Sequence, residues 1–100
     1  MISRHWKGVA HNDRVEDYID YLRDDTFETA KEVDGFFTAH ILTRKLGHGT
    51  EFYVITEWEN MAAIREFAGN EPEVAVITEF VKEVMIEYDN TVRHYEMERV

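Results

Sequence analysis

The segment FFTAHILTRKLGHGTEFYVITEW, residues 36 to 58, carries the clearest structural signal in the chain. Its two ends, Phe36 to Lys45 and Glu51 to Trp58, are rich in the β-branched and aromatic residues that favour strands. Between them lies a short connection, Leu46 to Thr50, that contains two glycines. Two such runs joined by a short glycine-containing loop predict a β-hairpin.

The sequence before this hairpin predicts one strand and one helix. Residues 2 to 9 divide into two alternating sets of side chains, as the residues of a strand do. Asp13 followed by Glu16 matches a capping box, so we expect the first helix to begin near Asp13. The helix should continue to about Val33, because Asp34-Gly35 then supplies a turn. Its apolar stripe consists of Val15, Tyr18, Ile19 and Leu22.

The sequence after the hairpin predicts two helical segments and a last strand. Asn60 is a good N-cap for a short helix that Gly69 closes. Pro72 suits the first turn of a second helical segment, which we expect over residues 72 to 85. The end of the chain, Thr91 to Met97, alternates in the manner of a strand.

The order of these elements predicts the fold class. It is βαββαβ with an extra helical segment before the last strand, which is typical of an α+β ferredoxin-like domain. A four-stranded antiparallel sheet would carry the helices on one face, and its other face would need a partner. Because 100 residues form one core and 44% of them are hydrophobic, we expect a single domain over residues 1–100 that pairs as a homodimer.

Charge and composition argue against several kinds of partner. Twenty-one acidic residues against 11 basic ones give a formal net charge of −10, which repels nucleic acid and anionic membrane surfaces. The first residues form no apolar signal-peptide core, and no apolar run has the length of a membrane helix. We therefore expect a cytoplasmic protein without a nucleic-acid or membrane partner.

The sequence also predicts that no metal or cofactor is carried. The chain has no cysteine, which removes disulfides, thiolate nucleophiles, Cys-held zinc and iron–sulfur clusters. Its five glycines are scattered and form no phosphate-binding loop. None of its five histidines forms a pair with the spacing of metal ligands.

Three segments of the chain resemble one known family. They are Arg4 to Gly8 in the first strand, Phe52 to Glu59 running into a helix, and Val92 to Glu96 near the end. In this pattern the chain resembles the antibiotic biosynthesis monooxygenase family over nearly its whole length. The resemblance implies a dimeric α+β barrel, in which two sheets pack face to face and each subunit keeps a small apolar cavity between its sheet and its helices.

The resemblance disfavours the haem-degrading branch of that family. This branch relies on an Asn in the first strand, a Trp in the second helix and a His in the following helical segment. The matching positions here hold Arg4 and His5 without any Asn, then Phe67, and then Ile77. The branch that oxidises aromatic polyketides without a metal or bound cofactor remains as the model for the activity.

The candidate catalytic residues are polar groups within the predicted strands. Oxidation of a flat, largely apolar metabolite by oxygen needs a general base that forms the substrate carbanion and donors that hold the developing oxyanion. His40 or His94 is the candidate base, and Arg4 or Arg93 is the candidate donor. The polyketide branch uses Asn, Trp, Tyr and Arg around its cavity, for which the resemblance offers Trp58, Tyr88 and Arg93.

Three aromatic residues are candidates for substrate binding, namely Trp6, Trp58 and Tyr88. Large rings in strands more often anchor a core or a dimer interface, and we favour that role for Trp58. The sequence shows no activated nucleophile, metal site or paired acid. A non-catalytic dimeric module that binds a small molecule or serves an interaction role therefore stays open as the alternative function.

Overall fold

A computed structural model describes residues 1–100 as one antiparallel sheet with helices packed on one of its faces. The strands are β1 (Ile2–Ala10), β2 (Phe36–Lys45), β3 (Thr50–Trp58), β4 (Met85–Tyr88) and β5 (Arg93–Glu96). The helices are α1 (Val15–Tyr21), α2 (Phe27–Lys31), α3 (Met61–Ala68) and α4 (Glu79–Val84). A 3-10 turn, Asn12–Arg14, precedes α1, and a π-helical turn, Leu22–Thr26, joins α1 to α2. None of the helices is long and apolar enough to cross a membrane.

The predicted α+β ferredoxin-like class is confirmed, and most of its elements lie where the sequence placed them. The hairpin forms from β2 and β3, which pair along their whole length. Asn60 caps α3 by accepting a hydrogen bond from the backbone N–H of Ala63 at 3.0 Å. Gly69 ends that helix with a φ of 92°, a conformation that glycine adopts without strain.

The predicted count of four strands is wrong, because the fourth position in the sheet is shared by two short strands. The order is β2-β3-β1, and both β4 and β5 then pair with β1. β5 runs along Ile2 to His5, and β4 runs along Gly8 to Ala10. Between the two strands the chain leaves β1 and pairs instead with residues 73–75, through hydrogen bonds such as that from Val92 N to the Glu73 carbonyl.

The predicted helical segment over residues 72 to 85 is wrong in its first half. Only Glu79–Val84 is helical, and Met85 already begins β4. Before α4 the chain is not helical, and Val74 forms an isolated antiparallel bridge with Thr91. Thr78 caps α4 by accepting a hydrogen bond from Val81 N–H, so the N-cap lies six residues after Pro72. Backbone pairing with the segment before β5 therefore replaces the helix that Pro72 was expected to begin.

Two apolar clusters fill the space between the sheet and the helices. The larger includes Trp6, Tyr18, Phe52 and Val84, and the smaller surrounds Trp58. β3 alternates buried and half-buried residues along its whole length, so its buried set points toward the helices. We call the face of the sheet that packs against the helices the inner face. The opposite, open face carries the other set, which includes Ser3, His5, Tyr53, Ile55 and Arg93.

Candidate functional site

A cavity of about 280 Å³ lies between the inner face of the sheet and the helices. Most of its wall is apolar and includes Trp6, Leu22, Phe27, Val54, Phe67 and Val81. The polar side chains at the wall are Arg4, Tyr18, Tyr21, Asp25, Thr26, Thr29 and Thr56. A concave apolar site with a few convergent polar groups is the usual form of a small-molecule site. The cavity therefore has the form of a binding site for one small compound.

The strand register explains why polar and apolar groups meet in this cavity. Arg4 of β1 lies opposite Thr56 of β3, and Trp6 lies opposite Val54 in the next inner-face pair. From the helix side, the π-helical turn contributes Leu22, Asp25 and Thr26 to the wall. π-Helical turns are rare, occur mostly as single turns within α-helices, and are frequent at functional sites.

Arg4 is the only basic side chain at the cavity wall and is almost fully buried, with 8% of its surface exposed. Its Nη1 group donates to the carbonyl oxygen of Pro72 and to Nε2 of His94, the latter at 2.9 Å. Burial lowers the pKa of Arg4 to about 10, so the guanidinium is still charged at neutral pH. No carboxylate forms an ion pair with it.

His94 holds Arg4 in place as a neutral acceptor. Because a guanidinium only donates, Nε2 of His94 must accept in this hydrogen bond, and the ring proton therefore lies on Nδ1. Burial first, and the charge of Arg4 second, lower the pKa of His94 below its usual 6.5, while Glu73 partly opposes them. At neutral pH the imidazole is thus uncharged, which suits an acceptor for the guanidinium.

Trp6 forms a wall of the cavity in a position that Gly8 makes possible. The indole Nε1–H donates to the carbonyl oxygen of Asp89 at 2.8 Å. A Cβ atom at Gly8 would lie 2.7 Å from Cη2 of Trp6 and 3.0 Å from Sδ of Met85. The missing side chain at Gly8 therefore leaves the space that the Trp6 ring occupies.

The structure brings three of the sequence-based candidates together and separates the others. Arg4 and Trp6 line the cavity, and His94 lies directly behind Arg4. Trp58 is completely buried in the smaller cluster, and Tyr88 packs against the larger one, so neither lines the cavity.

His40 and Arg93 lie on the open face, on the far side of the sheet from the cavity. His40 is exposed and its Nε2 lies 3.7 Å from a carboxylate oxygen of Glu57. Arg93 donates to Oδ2 of Asp89 and to the hydroxyl of Tyr53, each at 3.3 Å. Neither side chain lines the cavity, because alternate residues of a strand point to opposite faces, and a catalytic role for them stays a prediction.

The open face carries a connected polar network of its own. Nδ1 of His5 lies 3.1 Å from the Tyr53 hydroxyl, and Nε2 of His5 lies 2.7 Å from Oγ of Ser3. The hydrogen bond with Tyr53, and then that with Asp89, raise the pKa of Arg93. Burial and then the charge of Arg93 lower the pKa of His5. Nowhere in the chain do three His, Cys, Asp or Glu side chains converge as possible metal ligands.

Sequence reasoning missed several polar groups of the cavity. Tyr18 was assigned to the apolar stripe of the first helix, and its burial, followed by the effect of Tyr21, raises the pKa of its hydroxyl. Asp25 lies in an acidic run that is typical of a solvated helix face, and it is indeed exposed, but the π-helical turn also places it at the edge of the cavity. Thr56 could have been placed from the sequence, because the alternation of β3 puts it on the same face of the sheet as Val54 and Trp58.

The fold and the cavity define a class of protein, a ferredoxin-like α+β domain with a small-molecule cavity between sheet and helices. Residues 1–79 match the family model named antibiotic biosynthesis monooxygenase. The chain therefore belongs to the antibiotic biosynthesis monooxygenase family, which confirms the resemblance seen in its sequence. The matched residues include β1 to β3 and α1 to α3 and end at the first residue of α4.

Solved structures with the same fold include three that cover nearly the whole chain. A conserved protein from Methanosarcina mazei has a TM-score of 0.69 at 14% identity, covering 97% of this chain and 92% of that one. SnoaB, a cofactor-independent oxygenase from Streptomyces nogalater, has a TM-score of 0.67 at 12% identity, covering 99% and 94%. A Bacillus cereus protein assigned to the same family has a TM-score of 0.67 at 14% identity, covering 99% and 92%. A search of curated protein sequences found no significant match.

Proposed function

We propose that this protein is a cofactor-independent monooxygenase whose cavity binds a flat, largely apolar metabolite and lets it react with oxygen. The observation that carries the proposal is the cavity itself, which combines an apolar wall with one buried, charged guanidinium. Family membership and the fold shared with SnoaB support it. A guanidinium that is shielded from water, as Arg4 is, interacts more strongly with an anion that forms on the substrate.

The proposed reaction converts an activated methylene group of the substrate into a carbonyl group. A base removes one proton, and the carbanion then gives its electrons to oxygen. Two C–H bonds and the O–O bond are broken in total, and one oxygen atom stays in the product while the other leaves as water. Dioxygen takes up all four electrons, so the reaction needs no external reductant.

The residues of the cavity divide this chemistry among them. Arg4 supplies the positive charge that stabilises the substrate anion, and His94 is a positioning residue that holds the guanidinium. While it does so, Nε2 of His94 is occupied and is not free to accept a substrate proton. Asp25 is the only carboxylate at the cavity wall, and we assign it the role of general base.

The proposal includes a homodimer formed through the open face of the sheet. Exposed Leu42 and Tyr95 lie on this face, and no helix of the same chain covers it. A partner sheet would bury these side chains and leave the cavity on the helix side accessible.

Oxygen uptake by the purified protein tests the proposed function. With flat aromatic ketones that carry an acidic methylene group, anthrone among them, we expect oxygen consumption and equimolar ketone product without added metal or cofactor. Arg4→Met should lower kcat/KM by about 100-fold to 1,000-fold, as the loss of an oxyanion donor does. Arg65→Met removes the same charge from the exposed surface of α3 and should leave the rate unchanged.

Two results would contradict this proposal. If the Arg4→Met and Arg65→Met proteins consume oxygen as fast as the parent, the cavity is not the catalytic site. If the ketones bind in the cavity and no oxygen is consumed under any condition, the alternative of a non-catalytic dimeric small-molecule-binding module is favoured.

A further inference from the structure

We propose that the ligand of the cavity is an organic carboxylate, with its carboxylate group paired to Arg4 and its flat apolar remainder against the adjoining wall. This inference rests on the proposed function, because it takes the cavity as the substrate site. It adds the charge and the chemical group that the substrate carries before any reaction occurs. Three independent features of the cavity lead to it.

The first feature is the set of Arg4 protons that remain free. A guanidinium has five N–H donors. The two on Nη1 are used by the Pro72 carbonyl oxygen and by Nε2 of His94. The donors on Nε and Nη2 have no acceptor within the protein, and one proton on each points in the same direction. This side-on pair matches the two oxygens of a carboxylate, and the second Nη2 proton is left for the oxyanion of the proposed reaction.

The second feature is the missing counter-charge. Arg14, Arg44 and Arg93 each form an ion pair with a carboxylate, although all three are more exposed than Arg4. Buried charges are normally paired, because an unpaired charge loses its hydration without compensation. Burial is the cause that shifts the pKa of Arg4, and no acid nearby opposes the shift. The protein therefore leaves the anionic partner of this guanidinium to be supplied from outside.

The third feature is the shape and chemistry of the wall next to Arg4. The inner-face pair beside it, Trp6 and Val54, is apolar and lines the same cavity. A ligand anchored by two oxygens at Arg4 would thus lay its body along an aromatic and aliphatic surface. Arg4 is the only basic side chain at the wall, so a phosphate dianion would keep one negative charge without a partner there. A monoanionic planar carboxylate fits both facts.

The test compares an acid with its uncharged amide of the same shape. We would titrate the full chain with 2-naphthoate and with naphthalene-2-carboxamide in a calorimeter, without oxygen so that no turnover occurs. We expect the acid to bind about 10-fold to 100-fold more tightly than the amide, as hydrogen bonds to charged groups do. The net charge of −10 repels anions at long range, so such a preference has to arise from a local contact.

Variants of Arg4 test whether the preference for the acid over the amide arises at this residue. Arg4→Met should reduce it to about twofold or less, and Arg4→Lys, which keeps the charge and loses the planar fork, should leave an intermediate preference. Arg65→Met lowers the net charge of the protein by the same amount and should keep the full preference. If Arg4→Met does not fold, the parent protein and Arg4→Lys still provide the comparison.

The other outcomes contradict the carboxylate assignment alone or the proposed function as well. Equal binding of acid and amide, or a preference that survives in Arg4→Met, would overturn the carboxylate assignment and leave the proposed function standing. If neither compound binds and the oxygen-uptake assay is also negative, both proposals fail. If neither compound binds while ketones are oxidised, only the carboxylate assignment is wrong.

Discussion

The ring of Trp6 occupies the space that a side chain at Gly8 would need, and this contact shapes one wall of the cavity. In Gly8→Ala the new Cβ would lie 2.7 Å from Cη2 of Trp6, so the ring has to move. Overpacking of this kind typically costs about 1–3 kcal/mol, and we expect that loss in the free energy of unfolding measured with urea. Gly47→Ala is the matched control, because nothing lies within 4 Å of its Cβ position. A Gly8→Ala protein as stable as Gly47→Ala would contradict this account.

Trp58 acts at the residue scale as a core anchor. It is 0% exposed, it contacts the rings of Phe36 and Phe67, and its Nε1–H donates to Oγ1 of Thr56. Trp58→Ala should lower the free energy of unfolding by about 3–5 kcal/mol, as truncation of a buried large aromatic does. Phe37→Ala is the control, because Phe37 is largely exposed. If Trp58→Ala melts like the parent while ligand binding weakens, the substrate-stacking role would be the correct one.

At the scale of elements, α3 depends on its N-cap. The helix has only eight residues, and the Asn60 side chain satisfies the Ala63 N–H that the helix itself leaves free. Asn60→Ala should lower the free energy of unfolding by about 0.5–2 kcal/mol. Asn70→Ala, an exposed change of the same residue type after the helix, should have no measurable effect. Equal effects of the two substitutions in urea unfolding would show that the cap does not stabilise α3.

The division of the fourth strand position between β4 and β5 affects the geometry of the cavity. β5 pairs with the first half of β1, so His94 lies opposite Arg4 and can hold its guanidinium. β4 pairs with the second half, so Tyr88 lies opposite Gly8. The chain between them pairs with residues 73–75, and the nearby carbonyl of Pro72 accepts from Arg4. The two bonds that orient Arg4 thus come from segments whose positions the split strand decides.

At the scale of the whole molecule, the open face predicts self-association. The chain mass is 11.9 kDa, and light scattering at micromolar concentration should give about twice that value. Leu42→Glu places a charge on the open face and should yield a monomer. Val76→Glu changes an apolar residue on the helix side that is even more exposed than Leu42, and this protein should remain a dimer. A monomeric parent protein would contradict the barrel arrangement.

The two histidines with lowered pKa make the stability of the whole molecule depend on pH. When the pH falls below the usual pKa of 6.5, His5 and His94 bind protons in the unfolded chain more readily than in the folded protein, where their pKa is lowered. Their contribution is therefore complete above this pH and is lost as the pH falls. We expect the free energy of unfolding to decrease between about pH 7.5 and about pH 5.5.

His94→Gln separates this effect from other titrations. Gln keeps an acceptor for Arg4 and does not titrate, so the decrease should become smaller. His48→Gln changes an exposed histidine and should leave the decrease as it is in the parent. A pH profile unaffected by His94→Gln would show that this imidazole does not resist protonation in the folded protein.

The local elements and the fold class follow from patterns in the sequence. The alternation of β3 divides its side chains between the two faces of the sheet, and the glycine-containing loop allows the hairpin. Asn60 begins α3 through its side chain, and Gly69 ends it through its backbone conformation. These signals are local, because each acts between residues close together in the chain. They were sufficient for the ferredoxin-like order and for the family resemblance.

The composition of the cavity depends on packing between distant parts of the chain. The alternation of β1 leaves open which set faces the helices, so Arg4 with Trp6 and Ser3 with His5 were equivalent until the packing chose one. The same choice puts His94 behind Arg4 and sends Arg93 to the open face. The non-helical segment before α4 was missed because its pairing with Thr91 is a contact between residues distant in sequence. Long-range pairing competes with local periodicity, and here it overrode the helical pattern.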